Sequence, residues 1–132
     1  MSQQNVRLMS SALDAFNKRE GRSFDALLAD DVEIVPVRAA MEGVVFRGPE
    51  AGSRYCRAVE DAWQDLTWIV EEIRDGGSWT IALGRIRGRG RTSDAMIDAR
   101  GAWVASFRDG LITRFQTYSD REAALKAVGL EE

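Results

Sequence analysis

The sequence predicts an α+β domain in which a curved antiparallel sheet wraps around N-terminal helices, giving a cone. Two observations indicate this class. Apolar residues recur every three or four positions in the first half of the chain, and from Leu66 onward their spacing changes to two. In addition, Asp109-Gly110 lies between two strand-like runs and predicts an antiparallel hairpin. Helices first and hairpin-connected strands later are typical of α+β proteins.

The first half of the chain contains three predicted helices. The first covers residues 3–19, and its apolar face comprises Val6, Met9, Leu13 and Phe16. A short second helix follows Gly21, with Ser23 as its N-cap and with Phe24, Leu27 and Leu28 as its apolar residues. The third begins at Gly48-Pro49, with proline at the first helical position. Residues 32–37 predict a strand between these helices, and residues 43–46 predict its short partner.

The second half of the chain consists of strands and one closing helix. After the strand that begins at Leu66, further strands are predicted over roughly 78–90, 96–107 and 111–118. The closing helix begins at Ser119, which forms a capping box with Glu122. Gly129 is expected to end this helix, with Leu130 as the accompanying hydrophobic contact.

Length and charge narrow the class of protein. The 132 residues predict one domain, 1–132, and the net charge of −3 argues against nucleic acid or an anionic membrane as a partner. A single cysteine, Cys56, excludes an internal disulfide and suits a reducing compartment. The chain shows no secretion signal and no apolar run of the roughly 20 residues that span a bilayer. We therefore expect a soluble, cytoplasmic protein.

The chain contains no histidine. Histidine is the commonest metal ligand and the side chain that titrates near neutral pH without perturbation. Histidine-dependent catalytic triads are therefore excluded, and we expect no metal site and no cofactor.

Several runs of residues resemble one known family. They are residues 29–32, 46–50, 107–112 and 118–125, together with Gly129-Leu130. These runs are similar to the SnoaL-like branch of the nuclear-transport-factor-2-like superfamily, and the resemblance covers nearly the whole chain. It implies the cone-shaped fold. It leaves the activity open, because the superfamily includes isomerases, cyclases, epoxide hydrolases and binding proteins.

The resemblance also implies where catalytic groups would lie. Where polyketide cyclases of this branch carry His-Trp-Asp on the last strand, this chain has Phe-Gln-Thr at 115–117. Steroid-isomerase relatives place aspartates at positions that correspond here to Val35 or Pro36 and to Trp103. One acid of limonene-epoxide-hydrolase relatives corresponds to Thr117. Because none of these side chains exchanges a proton at neutral pH, the catalytic sets of the family do not carry over.

A pocket is predicted on the concave face of the sheet. If residues 107–110 form a type I turn with a glycine bulge, Phe107 lies opposite Leu111 and Trp103 lies near Phe115. One face then carries Trp103, Ala105, Phe107, Leu111, Thr113, Phe115 and Thr117. With residues from the helices, the predicted pocket lining is Phe16, Tyr55, Val59, Trp63, Trp103, Phe107, Phe115 and Thr117. The alternative is that these aromatic residues simply fill the core.

Tyr55 and Asp98 are the candidates for a chemical role. A buried phenol can donate a hydrogen bond to a ligand carbonyl or a developing oxyanion. Asp98 is the one acid at the centre of a long strand, but alternation places it on the convex face. It would then lie beside Arg100 and the arginines of the strand 78–90, so a cross-strand ion pair is the favoured interpretation. Four arginines of this region, at 85, 87, 89 and 91, alternate with other residues along the strand. We expect them to form a solvated or dimer-facing edge of the sheet rather than an anion-binding site. Cys56 is expected to be structural.

Three hypotheses of function follow. The leading one is a metal-free and cofactor-free domain that binds a small apolar or aromatic molecule without an assigned reaction. The second is a divergent isomerase, cyclase or hydrolase that uses Tyr55 and an unrecognised carboxylate such as Asp98. The third is a dimeric partner-binding module without a pocket. Relatives commonly dimerise through the convex sheet face, so we expect a homodimer with apolar contacts from Val104, Ile112 and Tyr118.

Overall fold

The computed structural model describes residues 2–36, 45–76, 78–91 and 96–129. Its helices are α1 (Ser2–Asn17), α2 (Gly21–Asp25), α3 (Ala51–Ala62) and α4 (Arg121–Ala127). Its strands are β1 (Leu28–Val35), β2 (Phe46–Arg47), β3 (Thr67–Asp75), β4 (Trp79–Arg89), β5 (Met96–Arg108) and β6 (Leu111–Tyr118). They form one sheet with the order β2-β1-β6-β5-β4-β3.

The predicted α+β fold with a curved sheet is confirmed. Helices α1, α2 and α3 pack on the inner face of the sheet, where they share one large apolar core with the strands. Helix α4 packs on the outer face. The sheet is mixed rather than wholly antiparallel, because β1 and β6 run parallel. No helix among the described residues is both long enough and apolar enough to cross a bilayer.

The start of the chain differs from prediction at its helix boundaries. Ser23 lies inside α2 and does not cap it, and Leu28 already belongs to β1. Pro49 precedes the N-cap of α3, Glu50, which takes a left-handed conformation with φ 62°. The backbone N–H of Ser53 near this end of α3 donates instead to the Asp25 carboxylate from α2, at 3.0 Å. Of the predicted partner strand at 43–46, residues 43 and 44 lie outside the described residues.

The closing helix begins one residue later than predicted. Asp120, not Ser119, is the N-cap of α4, and its side chain accepts a hydrogen bond from the backbone N–H of Glu122 at 3.0 Å. An aspartate at this position also suits the helix dipole. Gly129 follows the helix with φ 79°, as expected of a helix-ending glycine. Leu130 lies outside the described residues.

The turn of the β5–β6 hairpin is tighter than predicted. Asp109 and Gly110 have φ 54° and 77°, so the turn is type I′ and Arg108 lies opposite Leu111. The bulge lies further along, where Ser106 pairs with Arg114 while Phe107 pairs with Ile112. Thr113 is the extra residue of this bulge. Trp103 therefore lies opposite Thr117, and the prediction that it lies near Phe115 was wrong.

The bulge decides which side chains of β6 face the core. Phe115 and Thr117 face inward as predicted, with exposed fractions of 0% and 5%. Before the bulge the alternation is reversed, so the predicted concave positions of Leu111 and Thr113 were wrong. Ile112 takes the inward position and is fully buried in the main core. Its predicted place on the convex face was therefore wrong as well.

Trp68 lies at the centre of the main core. Its ring stacks on Phe16 of α1 with 3.6 Å between centroids, and on the other side it lies parallel to Phe115 of β6 at 5.9 Å. Trp103 and Tyr55 pack against it at 5.2 Å and 6.2 Å. Its backbone is fixed too, because the Asn17 amide accepts from the Trp68 N–H at 2.8 Å and donates to its carbonyl at 2.7 Å. One residue of the edge strand thus joins α1, α3, β5 and β6.

A second apolar cluster lies on the outer face. Ile81, Leu83 and Ala102 of the sheet are covered by Ala124 and Leu125 of α4. Val104 and Tyr118, which were predicted to supply convex-face contacts, are half-buried against this cluster. The chain's own helix thus covers this cluster, whereas Met96 of β5, on the same face, is 73% exposed.

Gly84 of β4 is a position at which only glycine fits. A Cβ atom there would lie 1.9 Å from the Ile69 carbonyl oxygen, beside an irregularity in the β3–β4 pairing. We expect Gly84→Ala to lower the free energy of unfolding by about 3 kcal/mol or more, because backbone would have to move. Urea unfolding measures this.

Gly101→Ala is the matched control for Gly84→Ala. Its new Cβ would meet mainly the side chain of Ile86, at 2.7 Å and 2.8 Å, and that side chain can adjust its rotamer. Equal losses of stability in the two variants would contradict the proposed backbone clash.

Candidate functional site

A cavity of about 250 Å³ opens between the end of α3 and the inner face of the sheet. Its wall is mainly apolar. The residues that line it are Pro36, Tyr55, Trp63, Leu66, Trp68, Ile86, Ile97, Ala99, Arg100, Thr117 and Ser119. Among these described residues none carries a carboxylate, and Arg100 is the one with a formal charge.

The structure divides the eight predicted pocket residues into two groups. Tyr55, Trp63 and Thr117 line the cavity. The others belong to the apolar core: Phe16, Val59, Trp103 and Phe115 are buried there, and Phe107 packs against it half-buried. Some of the predicted aromatic residues thus line a cavity and others fill the core, in different parts of the inner face.

Sequence reasoning missed several cavity residues on β3, β4 and β5. Trp68 and Ile86 lie directly opposite each other in the β3–β4 pairing, so both point inward. Ile97 and Ala99 share the inward alternation of β5 with Trp103. The period-two spacing from Leu66 onward was the available signal, but it does not by itself say which face is concave.

Tyr55 and Thr117 are buried residues that line the cavity and lie close to each other. Burial raises the pKa of Tyr55, and the neighbouring Thr117 hydroxyl acts in the opposite direction with a smaller effect. The phenol therefore stays protonated at neutral pH. The Thr117 hydroxyl is buried, yet it lacks a hydrogen-bond partner within the part of the chain that the structure describes.

Trp63 forms one side of the cavity at the end of α3. It leaves the helix in an extended conformation and forms an isolated bridge with Gly90 beyond β4. Arg91 reinforces this junction, because its guanidinium donates to the carbonyls of Glu60 at 2.9 Å and Trp63 at 3.3 Å. The backbone of Trp63 is thus held between helix and sheet while its ring remains half-exposed.

Asp98 lies outside the cavity, on the outer face. Its side chain is 51% exposed and accepts hydrogen bonds from Arg85 at 3.1 Å and 2.6 Å, with Arg87 at 3.4 Å. The Arg85 guanidinium holds the pKa of Asp98 below its usual value. The predicted cross-strand ion pair is confirmed. A carboxylate in this position is not available to a molecule in the cavity.

Larger depressions lie elsewhere, but they are shallower and carry charged residues. One, of about 380 Å³, includes Glu33 with its ion-pair partners Arg114 at 2.7 Å and Arg47 at 3.1 Å. Another, of about 480 Å³, lies beside Arg87 and Asp98. Ligand sites are typically concave and mostly apolar, so the apolar cavity is the better candidate site. Within the described ranges, no group of three or more acids and cysteines is placed to hold a metal ion.

The comparisons with known proteins identify the family. The SnoaL-like domain family matches residues 10–115, and the chain belongs to this family. No curated protein sequence matches the chain.

Solved structures of the same fold are numerous and distant in sequence. An NTF2-like protein of unknown function from Burkholderia pseudomallei is 19% identical, with 98% of this chain and 99% of that chain covered and a TM-score of 0.77. A protein named as a SnoaL-like polyketide cyclase, from a Jannaschia species, is 14% identical (99% and 95% covered, TM-score 0.76). A protein of ketosteroid isomerase-like fold from Catenulispora acidiphila, in complex with trimethylamine, is 16% identical (93% and 92% covered, TM-score 0.75).

Cys56 lies on α3 next to Tyr55, and burial raises the pKa of its thiol from 9.0 to about 11. At neutral pH the reactive thiolate is then about 100-fold scarcer than in an ordinary cysteine. We expect iodoacetamide to alkylate the folded protein at least about 100-fold more slowly than the urea-unfolded chain. The rate should rise about tenfold per pH unit below pH 11. Mass spectrometry follows the reaction at this single cysteine, and comparable rates in the two states would contradict the buried, inert thiol.

Proposed function

We propose that this protein binds a small apolar or aromatic molecule in the cavity beside Trp63 and Trp68. The observation that carries the proposal is the composition of the wall, where aromatic rings and aliphatic side chains predominate and the polar residues are three that carry hydroxyls and Arg100. Ligand sites are typically concave and mostly apolar, with a few polar groups that fix orientation.

The size of the cavity limits the size of the ligand. An apolar cavity of about 150 Å³ accommodates benzene, and drug-sized ligands occupy roughly 300–1,000 Å³. A cavity of about 250 Å³ therefore suits a molecule of one or two rings. The trimethylamine complex of the similar Catenulispora protein is an example of a small molecule bound by this fold.

Binding without a reaction is the function that the geometry favours. The alternative of an isomerase, cyclase or hydrolase requires a group that exchanges protons near neutral pH. Burial raises the pKa of Tyr55 well above this range, and Asp98 is paired on the outer face. The described wall offers hydrogen bonds and apolar contact, which are the means of recognition rather than of proton transfer.

Thermal unfolding in the presence of a panel of one- and two-ring aromatic compounds tests the proposal. A ligand at 100 times its dissociation constant should add about 2.7 kcal/mol to the free energy of unfolding, which raises the melting temperature by a few degrees. Trp63→Ala removes one wall of the cavity and should abolish the shift.

The matched control is Trp79→Ala. Trp79 is also a half-buried tryptophan, but it packs against the cluster on the outer face. This variant should keep the ligand-induced shift even if its own melting temperature is lower. A shift lost equally in both variants, or no shift across the panel, would contradict a binding site in this cavity.

A further inference from the structure

The outer face of the sheet carries a basic patch beside the apolar cluster that helix α4 covers. Residues directly opposite each other in neighbouring antiparallel strands share a face, so the pairing of β3, β4 and β5 gives the composition of the patch row by row. The row that pairs Leu83 with Ala102 belongs to the covered cluster. The basic patch consists of the rows that follow: Ile69, Arg85 and Arg100, then Thr67, Arg87 and Asp98, and last Arg89 and Met96.

Four positive charges in the basic patch face one negative charge. The Asp98 carboxylate pairs with Arg85 at 2.6 Å and with Arg87 at 3.4 Å, so both of its oxygens are engaged. Within the described ranges, Arg89 and Arg100 have no ion-pair partner. Arg100 is also among the residues that border the cavity, but its position opposite Arg85 directs its side chain to the outer face. This excess of positive charge lies on a chain whose net charge is −3.

The basic patch also offers apolar surface. Met96 is 73% exposed, and among the described residues it is the one large apolar side chain with such exposure. It lines a depression of about 480 Å³ whose wall also includes Ile69, Arg87 and Arg89. Methionine and arginine are both enriched in protein–protein interfaces relative to the remaining surface. Charge and composition thus indicate a surface that binds another polypeptide.

We propose that the basic patch is a docking site for an acidic peptide segment of a partner protein. Carboxylates of the segment pair with Arg89 and Arg100, and its apolar side chains contact Met96. Arg89 and Arg100 lie on adjacent strands and are four residues apart in register, because Arg100 lies opposite Arg85. A strand rises about 3.3 Å per residue, so the two cations are about 13 Å apart along the strands. Acidic residues four positions apart in an extended segment match this separation.

The charge of the basic patch favours this occupant over a second copy of the chain. In a two-fold dimer through the patch, the same surface would meet itself. Arginines would then outnumber aspartates four to one across the contact, and like charges that face each other in an interface are unfavourable. A nucleic acid is disfavoured as well. Sites for single strands present aromatic rings on which bases stack, and the residues of this patch include none.

The inference is tested with the fluorescein-labelled octapeptide EELEELEE and its neutral counterpart QQLQQLQQ. Fluorescence anisotropy should show that the acidic peptide binds at least about tenfold tighter at about 0.05 M salt. Salt at about 0.5 M should remove most of this preference, because it screens exposed charges. Equal binding of the two peptides, or no binding of either, would overturn the docking site.

The double variant Arg89→Gln with Arg100→Gln removes the two unpaired cations. Exposed ion pairs each change an affinity by roughly two- to fivefold, so the double variant should bind EELEELEE about tenfold more weakly. The matched control is Arg7→Gln with Arg22→Gln, which removes the same charge from exposed positions on α1 and α2. The control should bind this peptide as the wild-type protein does. An equal loss in both double variants would point to a general attraction and overturn the assignment to the patch.

Met96→Ser tests the apolar part of the contact. Because the Met96 side chain is 73% exposed, the substitution removes little of the packing that holds the fold. It should weaken the binding of EELEELEE about threefold, but leave the binding of EESEESEE unchanged, since that peptide has no leucine to contact Met96. The same effect on both peptides would overturn the role of Met96.

Two further measurements examine the other possible occupants. A uridine octanucleotide with the same label should bind more weakly than EELEELEE, and tighter binding would overturn the assignment to an acidic peptide. In sedimentation velocity, Met96→Lys should leave the oligomeric state of the chain unchanged. A wild-type dimer that dissociates in this variant would place a second copy on the patch and overturn the proposal. The cavity takes no part in these measurements, so their failure leaves the proposed small-molecule site standing.

Discussion

The fold depends on the way in which Trp68 is held. Its ring lies between Phe16 and Phe115, and its backbone is bound on the open edge of β3 by the side chain of Asn17. An edge strand with unpaired backbone groups is otherwise free to fray or to pair with another chain. Because one residue contacts the first helix, the third helix and the last two strands, the core closes around it. Trp68 also lines the cavity, so the core and the cavity share this residue.

The two faces of the sheet have opposite electrostatic character. Inside, the described cavity wall is mainly apolar, with hydroxyls and with Arg100 as its one charged residue. Outside, arginines and acids form solvated pairs such as Arg85 with Asp98 and Arg114 with Glu33. Such exposed pairs contribute little to stability but keep that part of the outer face polar. Helix α4 covers the apolar cluster on the outer face.

The sequence was informative about the elements and less so about the site. Every strand from Thr67 to Tyr118 was predicted within a few residues, because spacing of two and the Asp109-Gly110 turn are local signals. Which side chains of β6 point toward the core was predicted only in part. The bulge at Thr113 arises from the pairing with β5, and the local sequence carries no signal for it. The split of the aromatic residues between core and cavity was also out of reach. It depends on how far α3 stands from the sheet, which is a tertiary distance.

The bulge in β6 also separates the tip of the β5–β6 hairpin from the part that reaches the cavity. Beyond it, Arg114, Phe115 and Thr117 keep their partners Ser106, Ala105 and Trp103. If Thr113 were deleted, the pairing on both sides of it would stay in register, and an insertion at the same point would only enlarge the bulge. A change of length at this point thus leaves the register of Thr117 unchanged, so it does not alter which residue of β6 lines the cavity.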